Sequence, residues 1–297
     1  MFGPKICSHN EWDPLRSVIV GDAAGAYKPE GLHFDNPGSY RNHVLAQAGM
    51  DLDRFARTLE QEGVKVYRPK SHDFTFSGGM YNYCPRDRLL IIGDTVVDCN
   101  MQYPMRNAES KYIDFVLKKA KRVLTVPRKR KLFFDAANVC RLGKTLLYLV
   151  SKSGNINGAE WLANNFPDHT VEVTRTYSGI HIDSTICPVN QGLVVVNKDR
   201  VSKDTLPQCF NDWEIIWLGN EDLPQRAIYP GMPAPSASNY ILLNFFMIRP
   251  NLAVIDDVPR LQEALKANGI DSYVIPFSHS RTLGGGHHCV TLDLHRR

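Results

Sequence analysis

The sequence predicts an α/β protein built as one domain, residues 1–297, with radial pseudo-symmetry. Three observations predict it. Apolar strand-like runs recur five times along the chain, each is followed by a polar or helical stretch and a second short strand, and no Gly/Ser-rich or Pro-rich linker interrupts the series. The units repeat roughly every 45–70 residues, the scale of supersecondary repeats.

The first strands are SVIVG (17–21), RLLIIGDTVV (88–97), TLLYLVS (145–151), GLVVVN (192–197) and NFFMI (244–248). Their partners are VKVYRP (64–69), RVLTVP (122–127), TVEVTR (170–175), WEIIWL (213–218) and SYVIPF (272–277), rich in the β-branched and aromatic residues that strands favour. Between them, LDRFARTLEQEG (52–63) places Leu52, Phe55, Ala56 and Leu59 at helical spacing and closes on Gly63. PRLQEALKANG (259–269) repeats the design, with Pro at the start and Gly269 as the stop. GAEWLANNF (158–166) is a shorter version. Equivalent positions of radially repeated units meet around the central axis. The segments that enter the first strands or close the last unit are CPRD (84–87), FFDAAN (133–138), GIHIDST (179–185), APSAS (234–238) and LGGGHHC (283–289). Asp87, Asp135, His181, Asp183, Ser236 and Cys289 are therefore expected to converge on one central pocket.

Composition narrows the class. The longest apolar stretches, such as YILLNFFMI (240–248), are strand-length and too short for a membrane span. The N-terminus, MFGPKICSHNEWDPL, has neither the apolar run of a signal peptide nor the basic, acid-poor helix of a transit peptide. Seven cysteines, an odd number with no CxxC pair, argue against a disulfide framework and a structural zinc site, and for a reducing compartment. The expected location is cytoplasmic. Net charge is only +4, but KKAKR (118–122) and RKRK (128–131) bracket the run VLTVP. Such clusters can hold nucleic acid or an anionic membrane. No stacking aromatics or binding motif accompany these, so they read as a solvated helix end and strand exit.

Cysteine, histidine and a carboxylate form the nucleophile, base and orienter set of covalent catalysis. The thiolate attacks, so it needs a positive field to form near neutral pH. Three glycines before Cys289 let the backbone approach a substrate or take positive φ, whereas Cys140 and Cys187 read as small buried hydrophobes. Adjacent residues on a strand point to opposite faces, so His287, His288 and Cys289 are not expected to share a metal. Asp87 and Asp183 would repel a thiolate unless the substrate brings positive charge, and a guanidinium does so, planar and matched to carboxylates.

Together NEWDPLRSVIVG (10–21), PRDRLLIIGD (85–94), FDAANVCRLGKTLLY (134–148), HIDST (181–185), NKDR (197–200) and LGGGHHC resemble the arginine amidinotransferases over nearly the whole chain. This family includes glycine amidinotransferase and the enzymes of aminocyclitol antibiotic and cyanobacterial toxin pathways. The resemblance implies a five-bladed, pseudo-symmetric α/β propeller of the pentein type with a central active site. It implies that Cys289 attacks the guanidino carbon of L-arginine and becomes an amidino-cysteine. His181 would protonate the departing ornithine amine and then deprotonate the acceptor amine, with Asp135 orienting it. Asp87 and Asp183 would grip the guanidinium, Arg200 would bind the donor α-carboxylate, and Ser236 would add a substrate contact. The chemistry is ping-pong and needs no metal or organic cofactor. The implied partners are small molecules, L-arginine and an amine, with no nucleic acid or membrane, and dimers occur in the family.

The chain departs from the pattern at Asn138, where the family usually has Asp, and at Ala237, where some relatives carry a second serine. The span from Asp87 to Asp135 is also shorter than in the vertebrate-type enzymes. Two other readings compete. One is a deiminase-type hydrolase in which water discharges the amidino-cysteine to give citrulline. The other is a catalytically idle nucleic-acid-binding protein using residues 118–131.

Overall fold

The computed structural model of the chain describes residues 3–29, 38–76, 78–226 and 235–297. In chain order the elements are β1 (Leu15–Val20), β2 (Tyr27–Lys28), β3 (Gly38–Ser39), α1 (Asn42–Gln61), β4 (Lys65–Tyr67), β5 (Leu89–Ile92), β6 (Thr95–Asp98), α2 (Asp114–Lys119) and β7 (Arg122–Thr125). There follow β8 (Val139–Leu142), β9 (Thr145–Leu149), α3 (Ile156–Asn165), β10 (Thr170–Thr174), β11 (Ile186–Asn190), β12 (Leu193–Asn197) and β13 (Glu214–Leu218). The chain finishes with β14 (Phe246–Arg249), β15 (Leu252–Ile255), α4 (Pro259–Ala267), β16 (Asp271–Val274), α5 (Ser280–Leu283) and β17 (Thr291–Arg296).

Five three-stranded sheets share one plan: β17-β1-β4, β5-β6-β7, β8-β9-β10, β11-β12-β13 and β14-β15-β16. In each, the first pair is antiparallel and the second parallel. None of the sheets closes on itself, and β2 and β3 form a separate two-stranded ribbon. The five repeats are thus real, but each has three strands where the sequence pattern suggested two. RLLIIGDTVV is not one strand; it folds at Gly93, whose φ is +59°, into β5 and β6. NFFMI contains an inner strand, β14, and the middle strand of that sheet is LAVI (252–255). The segment after LGGGHHC does not close the last unit either: β17 pairs with β1 and completes the first sheet.

The helix read at 52–63 begins ten residues earlier, at Asn42, and buries Val44, Ala48, Leu52, Phe55, Ala56 and Leu59 on one face. The helices at 156–165 and 259–267 match their patterns, with the Asn155 side chain accepting from Gly158 N–H at the first turn of α3. The middle strands are almost fully buried, as parallel strands covered on both faces require.

Strand pairing dictates where a site can form. Leu89 at the start of β5 lies opposite Asp98 at the end of β6, which in turn lies beside Thr125 at the end of β7. Segments entering an inner strand and segments leaving the middle and outer strands therefore share one end of the sheet. Asp87, Asp135, Asp183 and Cys289 all stand just before inner strands, at that end.

The inner strands also carry a buried ion network. Arg141 of β8 binds Glu11 at 2.6 and 2.8 Å and Asp293 of β17 at 2.7 Å, while Arg86 and Arg296 each reach Asp293 at 2.6 Å. Every member is at most 5% exposed, so each charge must be met by an opposite one. Among the described residues no helix is long and apolar enough to cross a membrane.

Candidate active site

Cys289 sits in a turn that follows α5. Gly284 ends that helix at φ +80°, a conformation that favours glycine. A Cβ on Gly285 would lie 2.4 Å from Cys84 Sγ and 3.3 Å from Cys289 Cβ, so only glycine lets the turn close over the two cysteines. Asn244 holds the arrangement: its Oδ1 accepts from Cys289 N–H at 2.9 Å and its Nδ2 donates to the Asp183 carbonyl at 2.8 Å. Residues 287–290 form a turn rather than a strand, so strand alternation does not govern them. They diverge nevertheless. His287 packs against Phe55 and Phe277 and bonds the Ile275 carbonyl at 2.9 Å, and burial lowers its pKa to about 4. His288 bridges Asp183 (2.9 Å) and Glu11 (3.2 Å).

The Cys289 thiol donates to Asp183 Oδ2 at 3.2 Å. The neighbouring Cys84 thiol, burial and the Asp183 charge all push its pKa well above 9. Burial would raise the Asp183 carboxyl, but the hydrogen bond and charge of His288, with His181 and the thiol, hold it at about 2. Burial would also lower His181. The charge of Asp87 and the Asp135 hydrogen bond at 3.1 Å overcome this and raise its pKa to about 9. His181 Nδ1 lies 3.6 Å from Asp87 Oδ1.

Asp87 is 2% exposed, and its Oδ2 accepts from Arg106 at 3.1 Å. Its Oδ1 is buried without a hydrogen bond among the described residues. Burial, opposed by His181 and Arg106, raises the Asp87 pKa. Arg200 is stacked between the Tyr177 and Tyr240 rings, 3.9 and 4.6 Å from their centres, and donates to Ser184, Thr185 and Ser238. Ser236 Oγ is buried with no hydrogen-bond partner of sound geometry among the described residues. Of the APSAS segment, Ala234 lies outside the described residues. A cavity of about 530 Å³ is lined by His181, Asp183, Arg200, Ser236, Ala237 and Cys289, among others. The expected residues thus come together, with buried Asp87 and Asp135 facing the two ring nitrogens of His181 at 3.6 and 3.1 Å.

Asn138 is accounted for by its bonds. Its Nδ2 donates to the Leu149 carbonyl and Ser151 Oγ, both at 2.9 Å, while its Oδ1 accepts from Ser153. Ser153 O in turn accepts from Asp135 N–H at 2.9 Å. An aspartate could not donate to Leu149. Glu11, Asn244, Cys84 and Arg106 were not singled out from the sequence, and His288 was weighed there only as a metal ligand, although Glu11 and His288 stand inside motifs that carried the resemblance. Cys140 and Cys187 are buried in apolar clusters, and all seven cysteines are free thiols. No group of three or more His, Cys, Asp or Glu among the described residues is placed to hold a metal ion.

No protein-family model matches the sequence. Inosamine-phosphate amidinotransferase 1 of Streptomyces griseus is 36% identical over 342 aligned positions, covering 97% of this chain and 96% of the relative. The chain belongs to the amidinotransferase family. The solved structure of the inosamine-phosphate amidinotransferase from Streptomyces griseus superposes with a TM-score of 0.89 at 34% identity, covering 99% of this chain and 97% of that one. The amidinotransferase of saxitoxin biosynthesis from Microseira wollei gives 0.85 at 27% identity, over 98% and 97%. The L-arginine:L-lysine amidinotransferase of Pseudomonas savastanoi is 28% identical over 98% of this chain and 94% of its own length. Because 342 aligned positions exceed the 297 residues here, the Streptomyces relative carries segments that this amidinotransferase lacks. Dimethylarginine dimethylaminohydrolase from Pseudomonas aeruginosa, at 14% identity and TM-score 0.72, shares the α/β pentein fold alone.

Proposed function

We propose that this amidinotransferase takes its amidino group from L-arginine and carries it on Cys289 to an acceptor amine. The observation that carries the reading is the pair of buried carboxylates at the site: Asp183 accepts from the thiol, and Asp87 Oδ1, 3.6 Å from His181, has no hydrogen bond among the described residues. A buried carboxylate oxygen left without a donor is costly. A bound guanidinium would donate to Asp87 and Asp183 and bring a further positive charge beside the thiol.

In this reading the guanidinium displaces the Cys289 thiol from Asp183 and lowers the thiol pKa, so that the thiol proton is lost to solvent as the substrate binds. The thiolate attacks the guanidino carbon, and the cation becomes a neutral tetrahedral adduct. His181, an imidazolium below pH 9, gives its proton to the ornithine nitrogen as the C–N bond breaks. Ornithine leaves, and the amidino-cysteine cation and a neutral His181 remain. An acceptor amine then attacks the same carbon, His181 takes its proton, and the thiolate departs. Asp135 holds His181 in position throughout. Arg200, stiffened by Tyr177 and Tyr240, takes the donor carboxylate, and Ser236 offers a hydroxyl beside it.

The relatives named above act on inosamine phosphate or lysine, and the acceptor of this chain is open between such amines and glycine. We keep the five sheets as blades around a central site, one catalytic domain over 1–297, and a cytoplasmic location. Arginine labelled at the guanidino carbon, incubated with a panel of amines and followed by mass spectrometry, tests the reading. Ornithine with a labelled guanidino product supports it. Labelled citrulline, formed whichever amine is added, replaces it with a deiminase-type hydrolase.

A further inference from the structure

We infer that Cys84 and Cys289 are the two ends of a reversible intramolecular disulfide, formed when hydrogen peroxide enters the cavity over Cys289. The inference goes beyond the amidinotransferase reading, because it gives a role to a buried thiol that amidino transfer leaves unused.

The segments that carry these cysteines are fastened to each other on both flanks. Tyr83 Oη donates to the Gly285 carbonyl and Arg86 Nε to the His288 carbonyl, each at 3.3 Å. Arg86 also donates to Thr291 Oγ1 at 3.0 Å, and Asn244 Oδ1 accepts from Cys289 N–H at 2.9 Å. The two cysteines cannot drift apart without breaking several of these bonds. Gly285 runs between them: a Cβ there would lie 2.4 Å from Cys84 Sγ and 3.3 Å from Cys289 Cβ. With no side chain at 285, the gap is open to a bond between the sulfurs. The thiols are already close enough to perturb each other's ionisation. Their surroundings suit the product. Both belong to one apolar cluster, with Tyr81, Tyr83, Ile241 and Leu283. Burial raises the pKa of Cys84, while the Cys84 thiol and burial raise that of Cys289. Asp183 and Asp87 face Cys289, and Asp87, Tyr81 and Arg106 face Cys84. Such a setting disfavours a thiolate and accommodates an uncharged disulfide.

Access sets the order of events. Cys289 lines the cavity of about 530 Å³, and Cys84 does not. Cys289 therefore meets the oxidant first, and Cys84 resolves the product. The Cys289 sulfur attacks one peroxide oxygen, so an S–O bond forms as the O–O bond breaks. The thiol proton, which Asp183 accepts at 3.2 Å, goes to the departing oxygen and gives water. The Cys84 sulfur then attacks the Cys289 sulfenic acid. The S–S bond forms, the S–O bond breaks, and the hydroxyl leaves with the Cys84 proton as a second water. Two thiols have lost two electrons and one peroxide has been reduced. The electron pair that would attack the guanidino carbon is tied up until a thiol reductant reopens the bond.

The test treats wild-type enzyme with hydrogen peroxide in mildly alkaline buffer, which raises the thiolate fraction. Remaining thiols are capped with iodoacetamide, and the protein is digested without reductant. Mass spectrometry should find Cys84 and Cys289 joined in one peptide pair. Exchange of labelled ornithine into arginine should fall as that pair forms and return with dithiothreitol. In Cys84→Ala and Cys84→Ser the sulfenic acid has no resolving thiol, so peroxide carries Cys289 on to the sulfinic acid, which dithiothreitol does not reverse. Measured against its own untreated activity, each variant should recover roughly a tenth or less, where wild type recovers nearly all. The absence of a disulfide in wild type, a bond between other cysteines, or variants that recover as wild type does would overturn the inference. The peptide pair is read without turnover. A disulfide in an enzyme whose untreated form exchanges no ornithine would keep the inference and remove the amidinotransferase reading instead.

Discussion

Replacing Asp135 by asparagine isolates the contribution of one hydrogen bond to the acid that drives departure of ornithine. The rise of His181 from 6.5 to about 9 corresponds to about 3 kcal/mol of preference for the imidazolium, at roughly 1.4 kcal/mol per pH unit. Asp87 and Asp135 supply most of that preference against the cost of burial. A hydrogen bond to a charged group contributes about 1.5–3 kcal/mol, so losing Asp135 should bring the histidine down by about one to two pH units. Asparagine also changes the direction of the bond. Its Oδ1 can keep the Gln102 N–H, which leaves its NH2 facing His181 Nε2, and that contact suits a neutral ring with a lone pair there. Exchange of labelled ornithine into arginine, followed across pH, reads the result without an added acceptor. The variant should lose about 10²–10⁴-fold in rate, with its basic limb moved below 9. A limb still near pH 9, with activity within tenfold of wild type, would refute the assignment of Asp135 as the group that charges and orients His181.

Four further outcomes follow from the same geometry. Arg200→Ala should raise KM for arginine about thirtyfold, the equivalent of about 2 kcal/mol from a charge-assisted contact, while sparing agmatine, which lacks the carboxylate; equal effects on both donors in steady-state assays would remove Arg200 from that role. Gly285→Ala drives a Cβ into Cys84 Sγ and should cost about 1–3 kcal/mol in thermal denaturation, and adding Cys84→Ala should restore much of it. His288→Ala removes the imidazole that bridges Asp183 and Glu11; Glu11 keeps Arg141, but buried Asp183 loses its 2.9 Å partner, so the fold should be destabilised by about 3–5 kcal/mol in urea titration, whereas an exposed change such as Lys203→Ala should not be measurable. Because the folded pKa of His181 lies above its unfolded value, its stabilising contribution is full below about pH 6.5 and is lost as pH rises through about 9. Chemical denaturation should show that decline in wild type and a smaller one in Asp87→Asn.

How much of this was legible in the sequence depends on what covers each residue. The outer strands and most helices could be read because their burial is apolar: Val171 and Val173 of β10, or Leu261 and Leu265 of α4, announce themselves by spacing. The inner strands β8 and β17 could not. VCRL (139–142) and TLDLHR (291–296) carry Arg141, Asp293 and Arg296, which hydropathy assigns to solvent. They are buried because they neutralise one another across as many as 152 residues of chain, and no local pattern encodes that. The start of α1 was missed for a simpler reason, since its first turn has no side-chain cap and contains no acid.

The candidate site divides along the same line. Cys289, His181, Asp135, Asp87 and Asp183 were visible because each stands before a recurring strand, in motifs with chemistry-bearing side chains. Glu11 and His288 were inside quoted motifs, yet their partnership spans 277 residues and only folding reveals it. That Asp87 Oδ1 has no hydrogen bond among the described residues is likewise a property of three dimensions.

The covalent step is open to direct observation. Enzyme mixed with arginine labelled at the guanidino carbon, quenched in acid and digested, should yield one labelled peptide, with the amidino group on Cys289. Adding ornithine or an acceptor amine before the quench should discharge it into a guanidino product. Label that persists in Cys289→Ser at the wild-type level, or that is found on Cys84, would contradict Cys289 as the carrier.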